Sequence, residues 1–159
     1  MQEKYLKLKK FGATLLEKES LDDGLSYISS TIRELIGSDR CSIFLYDLKR
    51  HELSSTLSDG VEKIVVSSDV GLVGQTILHE KPIIENEPYG NIHFLPDIDM
   101  QTGYYTKNIL TSPIFSSKRE IMGVIELLNK PEGFHKKDME FLEFFAHYIS
   151  GFIELKHLI

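Results

Sequence analysis

The sequence predicts an α/β chain of the α+β type. An antiparallel central sheet carries the terminal helices on one face; a short helix and a long loop form a pocket on the other. Three observations predict this. Helical periodicity marks both ends of the chain. Period-two alternation marks the stretch from Cys41 to Ser67. Ile109 to Phe115 and Ile121 to Leu128 are apolar on both faces, so these strands form a hairpin around SSKRE that needs cover on each side.

The elements follow in order. Met1, Tyr5, Leu8, Gly12 and Leu15 recur at steps of four and three among Lys and Glu, a heptad-like stripe that Gly12 weakens. Residues 1–20 therefore read as a linker helix and residues 21–159 as the domain proper. Ser20 is placed to cap the next helix, with Asp22 and Asp23 favouring the positive end of its dipole. Leu21, Leu25, Ile28, Ile32 and Leu35 form its apolar face, and Gly37 ends it. Cys41 to Asp47 is a strand with Cys41, Ile43 and Leu45 on one face and Ser42, Phe44 and Tyr46 on the other. Strands from Glu52 to Ser58 and Lys63 to Ser67 flank the Asp59-Gly60 turn signal. Val70 to Glu80 is a short helix, and Pro82 to Glu85 is extended. Asn86 to Asn108 has no sustained period and reads as a long functional loop.

The last helix runs from Lys136 to Ile159. Phe141, Phe145, Tyr148, Phe152, Leu155 and Ile159 repeat at four and three, with Leu142, Ile149 and Ile153 beside them. This apolar surface is wider than one sheet needs, so a second chain is expected on it. The predicted homodimer pairs Tyr5, Leu8 and Leu15 with Phe145, Phe152 and Ile159 across a two-fold axis. No capping residue ends this helix, so it is expected to continue into an effector region beyond Ile159.

Composition bounds the function. The net charge is −6, arginines are scattered, and no nucleic-acid reading motif occurs, so no nucleic-acid partner is expected. No apolar run approaches the ~20 residues of a membrane helix, and MQEKYLKLKK is too charged for a secretory signal. Cys41 is the single cysteine, which excludes an intrachain disulfide and fits a cytoplasmic setting. The chain lacks a GxSxG elbow, a phosphate-binding Walker loop and a Cys-His pair at useful spacing, so no catalytic residues are assigned. His79 and His93 have no second ligand at metal spacing, and no metal site is expected.

Two motifs carry a family resemblance. TGYYTKN, Thr102 to Asn108, resembles the TGxxT(R/K)N segment of cyclic-nucleotide-binding GAF domains, and GVIELLNK, Gly123 to Lys130, resembles their final strand and turn. Phe134 and Asp138 match the rest of that signature; Met139 stands where the family has Glu, with Glu140 one place late. The resemblance covers about Leu21 to Leu155. It implies a regulatory, ligand-binding domain without catalysis of its own, and a cyclic nucleotide, cGMP or cAMP, as its ligand. A ligand-free dimerisation module is the alternative.

The resemblance also implies site residues. Ser42 offers a strand hydroxyl, and Asp59 an acid for the base edge. Leu72 and Val73 bring backbone close to the ligand. Thr102 and Thr106 reach the phosphate and ribose region, and Glu126 turns a carboxylate into the pocket. Lys130 and Asp138 form a structural ion pair near the surface. Ser58 and Leu95 replace aromatic residues and so remove stacking surface. Each residue has a plainer reading. Glu126 is also consistent with an internal salt bridge, Ser42 with core filling, and the threonines with loop capping. Tyr89, Tyr104 and Tyr105 either line the lid or pack the loop.

Overall fold

The computed structural model describes residues 2–58 and 65–157. Helices α1 (Gln2–Leu16) and α2 (Leu21–Ile36) lead into β1 (Arg40–Asp47), β2 (Glu52–Ser58) and β3 (Val65–Ser67). Helix α3 (Gly71–His79), β4 (Ile83–Glu85), a 3₁₀ turn at Pro88–Gly90 and α4 (Asp97–Thr102) follow. β5 (Ile109–Phe115), β6 (Ile121–Leu128) and α5 (Lys136–His157) complete the chain. The six strands form one antiparallel sheet in the order β3-β2-β1-β6-β5-β4. The apolar hairpin strands thus lie inside the sheet, where their two-sided hydrophobicity requires them.

Local chemistry sets the boundaries. Ser20 Oγ accepts from Asp23 N–H at 3.1 Å and opens α2. Gly37, at φ +88°, ends it by returning its N–H to Arg33 O. Asn86 to Asn108 is more ordered than its composition indicated, because it contains the 3₁₀ turn and α4. α4 spans six residues, less than two helical turns, which is too short to register as periodicity. Lys63 and the Asp59-Gly60 turn lie outside the described residues.

Strand alternation divides the core into two layers. Cys41, Ile43 and Leu45 of β1 join Ile125 and Leu127 of β6 beneath α2 and α5. Phe44 and Val124 face the other way and pack with Val73 of α3. α1 belongs to the first layer. Its Leu8, Phe11 and Leu15 share that core with Phe145 and Phe152. Gly12 permits a close approach of α1 to the Tyr148 phenol of α5, since a Cβ there would collide with it. Tyr148 donates to Leu8 O at 3.1 Å across the same crossing.

This corrects the use assigned to the heptad stripes. Leu8, Leu15, Phe145 and Phe152 are buried within the single chain, so they hold α1 against α5. Ile159 and Met1 lie outside the described residues. Of the stripe residues, Tyr5 at 41%, Tyr148 at 42% and Leu155 at 62% stay exposed, joined by Phe144 at 43%.

Candidate ligand pocket

The pocket opens on the sheet face opposite the terminal helices. β1 and β6 pair so that Ser42 stands directly opposite Glu126, and β6 and β5 so that Glu126 stands opposite Thr111. A polar row therefore crosses three strands in an otherwise apolar face. α3 covers one end of the row. Its Thr76 Oγ1 lies 2.9 Å from Leu72 O and 2.6 Å from Thr111 Oγ1. Thr76 has one hydroxyl proton; given to Leu72 O, it leaves Thr111 to donate to Thr76.

The cavity beneath the lid measures ≈ 80 Å³. Phe44, Leu72, Val73, Phe94, Asp99 and Glu126 are among the residues that line it. The loop Asn86 to Asn108 forms a lid over it, held in shape from within by Asp99. Tyr89 Oη donates to Asp99 Oδ2 at 2.6 Å, and Thr106 donates from its N–H to Oδ2 and from its Oγ1 to Oδ1, both at 2.7 Å. This donation, and then burial, holds the Tyr89 phenol up to about 12. Tyr89 also stacks on Tyr105 with centroids 5.0 Å apart and meets Phe94 edge-on.

Two asparagines fasten the lid's exit to the turn after β6. Asn129 Oδ1 accepts from Lys107 and Asn108 N–H, and its Nδ2 donates to Tyr104 Oη and Tyr105 O. Asn108 exchanges two bonds with the Lys130 backbone. At the lid's entry, Asn86 does the same with the Phe134 backbone. The segments TGYYTKN and GVIELLNK, far apart in sequence, are thus one hydrogen-bonded unit.

Glu126 differs from every other polar group in the site. It is enclosed by the protein, and its residual exposure faces the cavity. It has no hydrogen bond or ion pair among the described residues, so the internal salt bridge is not formed. Burial, with a smaller contribution from the Asp99 charge, holds its carboxyl up to about 7.

The residues read from sequence divide accordingly. Leu72, Val73, Thr106 and Glu126 line the cavity. Thr106 spends both its donors on Asp99. Ser42 is buried on the same face beside Glu126 without lining the cavity. Asp59 lies outside the described residues. Thr102 ends α4, with its side chain outside the described set, and the same holds for Ser58 at the end of β2. Leu95 lines the cavity, and the aromatic surface missing there comes from Phe94 and Phe44.

Asp99 was missed from sequence; an acid in a polar loop gives no sign of burial. Tyr104 and Tyr105 pack the lid's exit, Tyr104 donating to Asp39 at 2.7 Å under the Arg40 guanidinium. Lys130 Nζ lies 2.7 Å from Asp138 Oδ1. The pair is more buried than expected, because Asp138 also accepts the His135 N–H and anchors the start of α5. Cys41 is buried on the helical face. Among the described residues no group of three metal-type side chains gathers, and no helix is long and apolar enough to cross a membrane.

Comparison with known proteins agrees with this architecture. The GAF domain family matches residues 20–153. The cone cGMP-specific 3',5'-cyclic phosphodiesterase subunit alpha' of Bos taurus is 31% identical over 143 residues, which cover 79% of this chain and 17% of that protein. The chain therefore spans a small part of the relatives it matches. Among solved structures, the GAF domain of an Acinetobacter phosphoenolpyruvate-protein phosphotransferase superposes with a TM-score of 0.83 at 21% identity, covering 98% of this chain and 96% of that one. A free methionine-R-sulfoxide reductase of Neisseria meningitidis, solved with its substrate, gives 0.81 at 14% identity over 95% and 88%. These two likenesses show a shared fold.

Proposed function

The chain belongs to the GAF domain family, and we propose that it is the small-molecule-binding regulatory domain of a larger cytoplasmic signalling protein. The observation that carries this reading is Glu126. An enclosed carboxyl without a partner is costly to the folded state, and ligand sites are where such a cost is compensated. The pocket has the usual composition of such sites, apolar walls with a few convergent polar groups. The relatives offer one candidate class, a cyclic nucleotide such as cGMP or cAMP, because the similar cone phosphodiesterase is cGMP-specific. The lone buried thiol, turned away from the cavity, favours regulation over redox catalysis.

Ligand binding is read out through β6. Its residues alternate between the cavity, at Glu126, and the helical layer, at Ile125 and Leu127. A ligand that prefers one lid arrangement biases the sheet and, through it, α1 and α5. Those helices lead to an effector region elsewhere in the polypeptide. Native mass spectrometry of the purified protein identifies a copurifying ligand, and calorimetry with cGMP and cAMP tests the candidates. Glu126→Gln is expected to weaken the native ligand about tenfold or more, by the rule of ~1.4 kcal/mol per decade. A protein that carries no ligand and binds neither nucleotide would be better read as a dimerisation module.

A specific observation gives the dimer weight alongside the sensor reading. Tyr5, Phe144 and Tyr148 form an exposed aromatic strip across α1 and α5, with ring centroids 5.3 and 6.2 Å apart, and Leu155 is exposed further along α5. The partner we propose for this strip is a second copy of the same chain.

A further inference from the structure

We propose that the ligand of this pocket is a compact planar cation, an amidine or guanidine, whose two parallel N–H groups meet the Glu126 carboxylate. The inference rests on the pocket being a ligand site and names the chemistry that the site selects.

The donor set points to this class. Two carboxyl groups, Glu126 and Asp99, line the cavity, and no Lys, Arg or His joins them among the described residues. Asp99 is committed to three donors from the lid. Glu126 is uncommitted, and its neighbours do not neutralise it. Ser42 from β1 and Thr111 from β5 stand opposite it, α3 contributes Leu72 and Val73, and the lid contributes Asp99 and Thr106. The one charge facing Glu126 from this set is therefore of like sign. Two N–H donors in a rigid plane match the two oxygens of a carboxylate, and a positive charge answers both acids. Phe44 and Phe94 add aromatic surface, which favours a flat cation over an anion. The size agrees, because ≈ 80 Å³ is small beside the roughly 300–1,000 Å³ of drug-sized ligand sites.

The test uses benzamidine, its neutral isostere benzamide and cGMP, by calorimetry and thermal shift on the intact chain. Benzamide keeps the shape and replaces one N–H donor by an acceptor. cGMP offers a neutral two-donor base edge on an anionic body. Benzamidine is expected to bind and raise the melting temperature, with benzamide and cGMP weaker. Because Glu126 must be ionised, benzamidine affinity is expected to rise about tenfold from about pH 6 to about pH 8. Glu126→Gln is expected to abolish both the affinity and its pH dependence while retaining the cooperative melt.

Equal binding of benzamide, affinity that falls with pH, or no benzamidine binding at millimolar concentration would each overturn the cation. Binding of cGMP alone, lost in Glu126→Gln, would overturn the cation and leave the sensor reading in place. If none of the three binds, the cation is overturned, and a copurifying ligand in the native mass spectrum decides whether the sensor reading falls with it.

Discussion

At Glu126 the fold holds a carboxyl up to about 7 from its ordinary 4.5, chiefly by burial. The native state therefore binds this proton more tightly than the unfolded chain does. The associated stability is fully present below about pH 4.5 and is lost as pH rises through about 7. The loss is on the order of 3 kcal/mol. Glu126→Gln removes the ionisation, so the ligand-free variant is expected to melt above the wild type at about pH 8 and near it at about pH 5. Paired thermal melts check this, and a variant less stable at both values would mean that the carboxylate has a partner. Glu126 was legible in the sequence because an acid interrupting Met122, Val124 and Leu128 stands out against strand alternation. Asp99 was not, since its partners, ten residues before it and seven after, become neighbours only when the lid folds. The same limit applied to Lys130 and Asp138: the family resemblance implied the pair, but only packing could reveal its depth.

α2, β5 and β6 were readable to the residue, whereas α1 ends at Leu16, short of the 1–20 expected. Ser20 and Gly37 marked α2, and β5 and β6 ended where their apolar runs met turn residues. α4 escaped for want of length. The sequence also showed that α1 and α5 carry stripes, but periodicity does not say which surface will cover them. Intrachain packing took Leu8, Leu15, Phe145 and Phe152, and left Phe144 and Leu155 exposed. At the start of α5, Asp138 accepts from Lys130 Nζ at 2.7 Å and from His135 N at 2.9 Å. Asp138→Ala leaves a half-buried ammonium and a helix N-terminus without their acceptor. The expected cost is about 1–3 kcal/mol, more than an exposed pair contributes. Urea denaturation measures it; a loss of ligand affinity with unchanged stability would place the pair in the pocket's service instead.

For the whole molecule, the exposed strip makes oligomeric state a direct question. Light scattering at about tens of micromolar is expected to give a dimer mass, given the affinities that such interfaces reach. Leu155→Asp is expected to yield monomers with little change in melting temperature, because Leu155 is 62% exposed. Phe152→Asp would instead damage the core, where the Phe152 ring lies against Gly24. A dimer that survives Leu155→Asp would place the interface elsewhere. The closed lid has a kinetic consequence as well. A ligand larger than the ≈ 80 Å³ cavity needs the lid to change shape, and the three bonds to Asp99 hold that shape from within, so rearrangement is expected to precede capture. In stopped-flow mixing, the observed rate should level off at high ligand concentration, at a ceiling set by the protein. Asp99→Asn weakens the acceptor and should raise that ceiling, so this one side chain sets how quickly the domain can respond to a change in its surroundings.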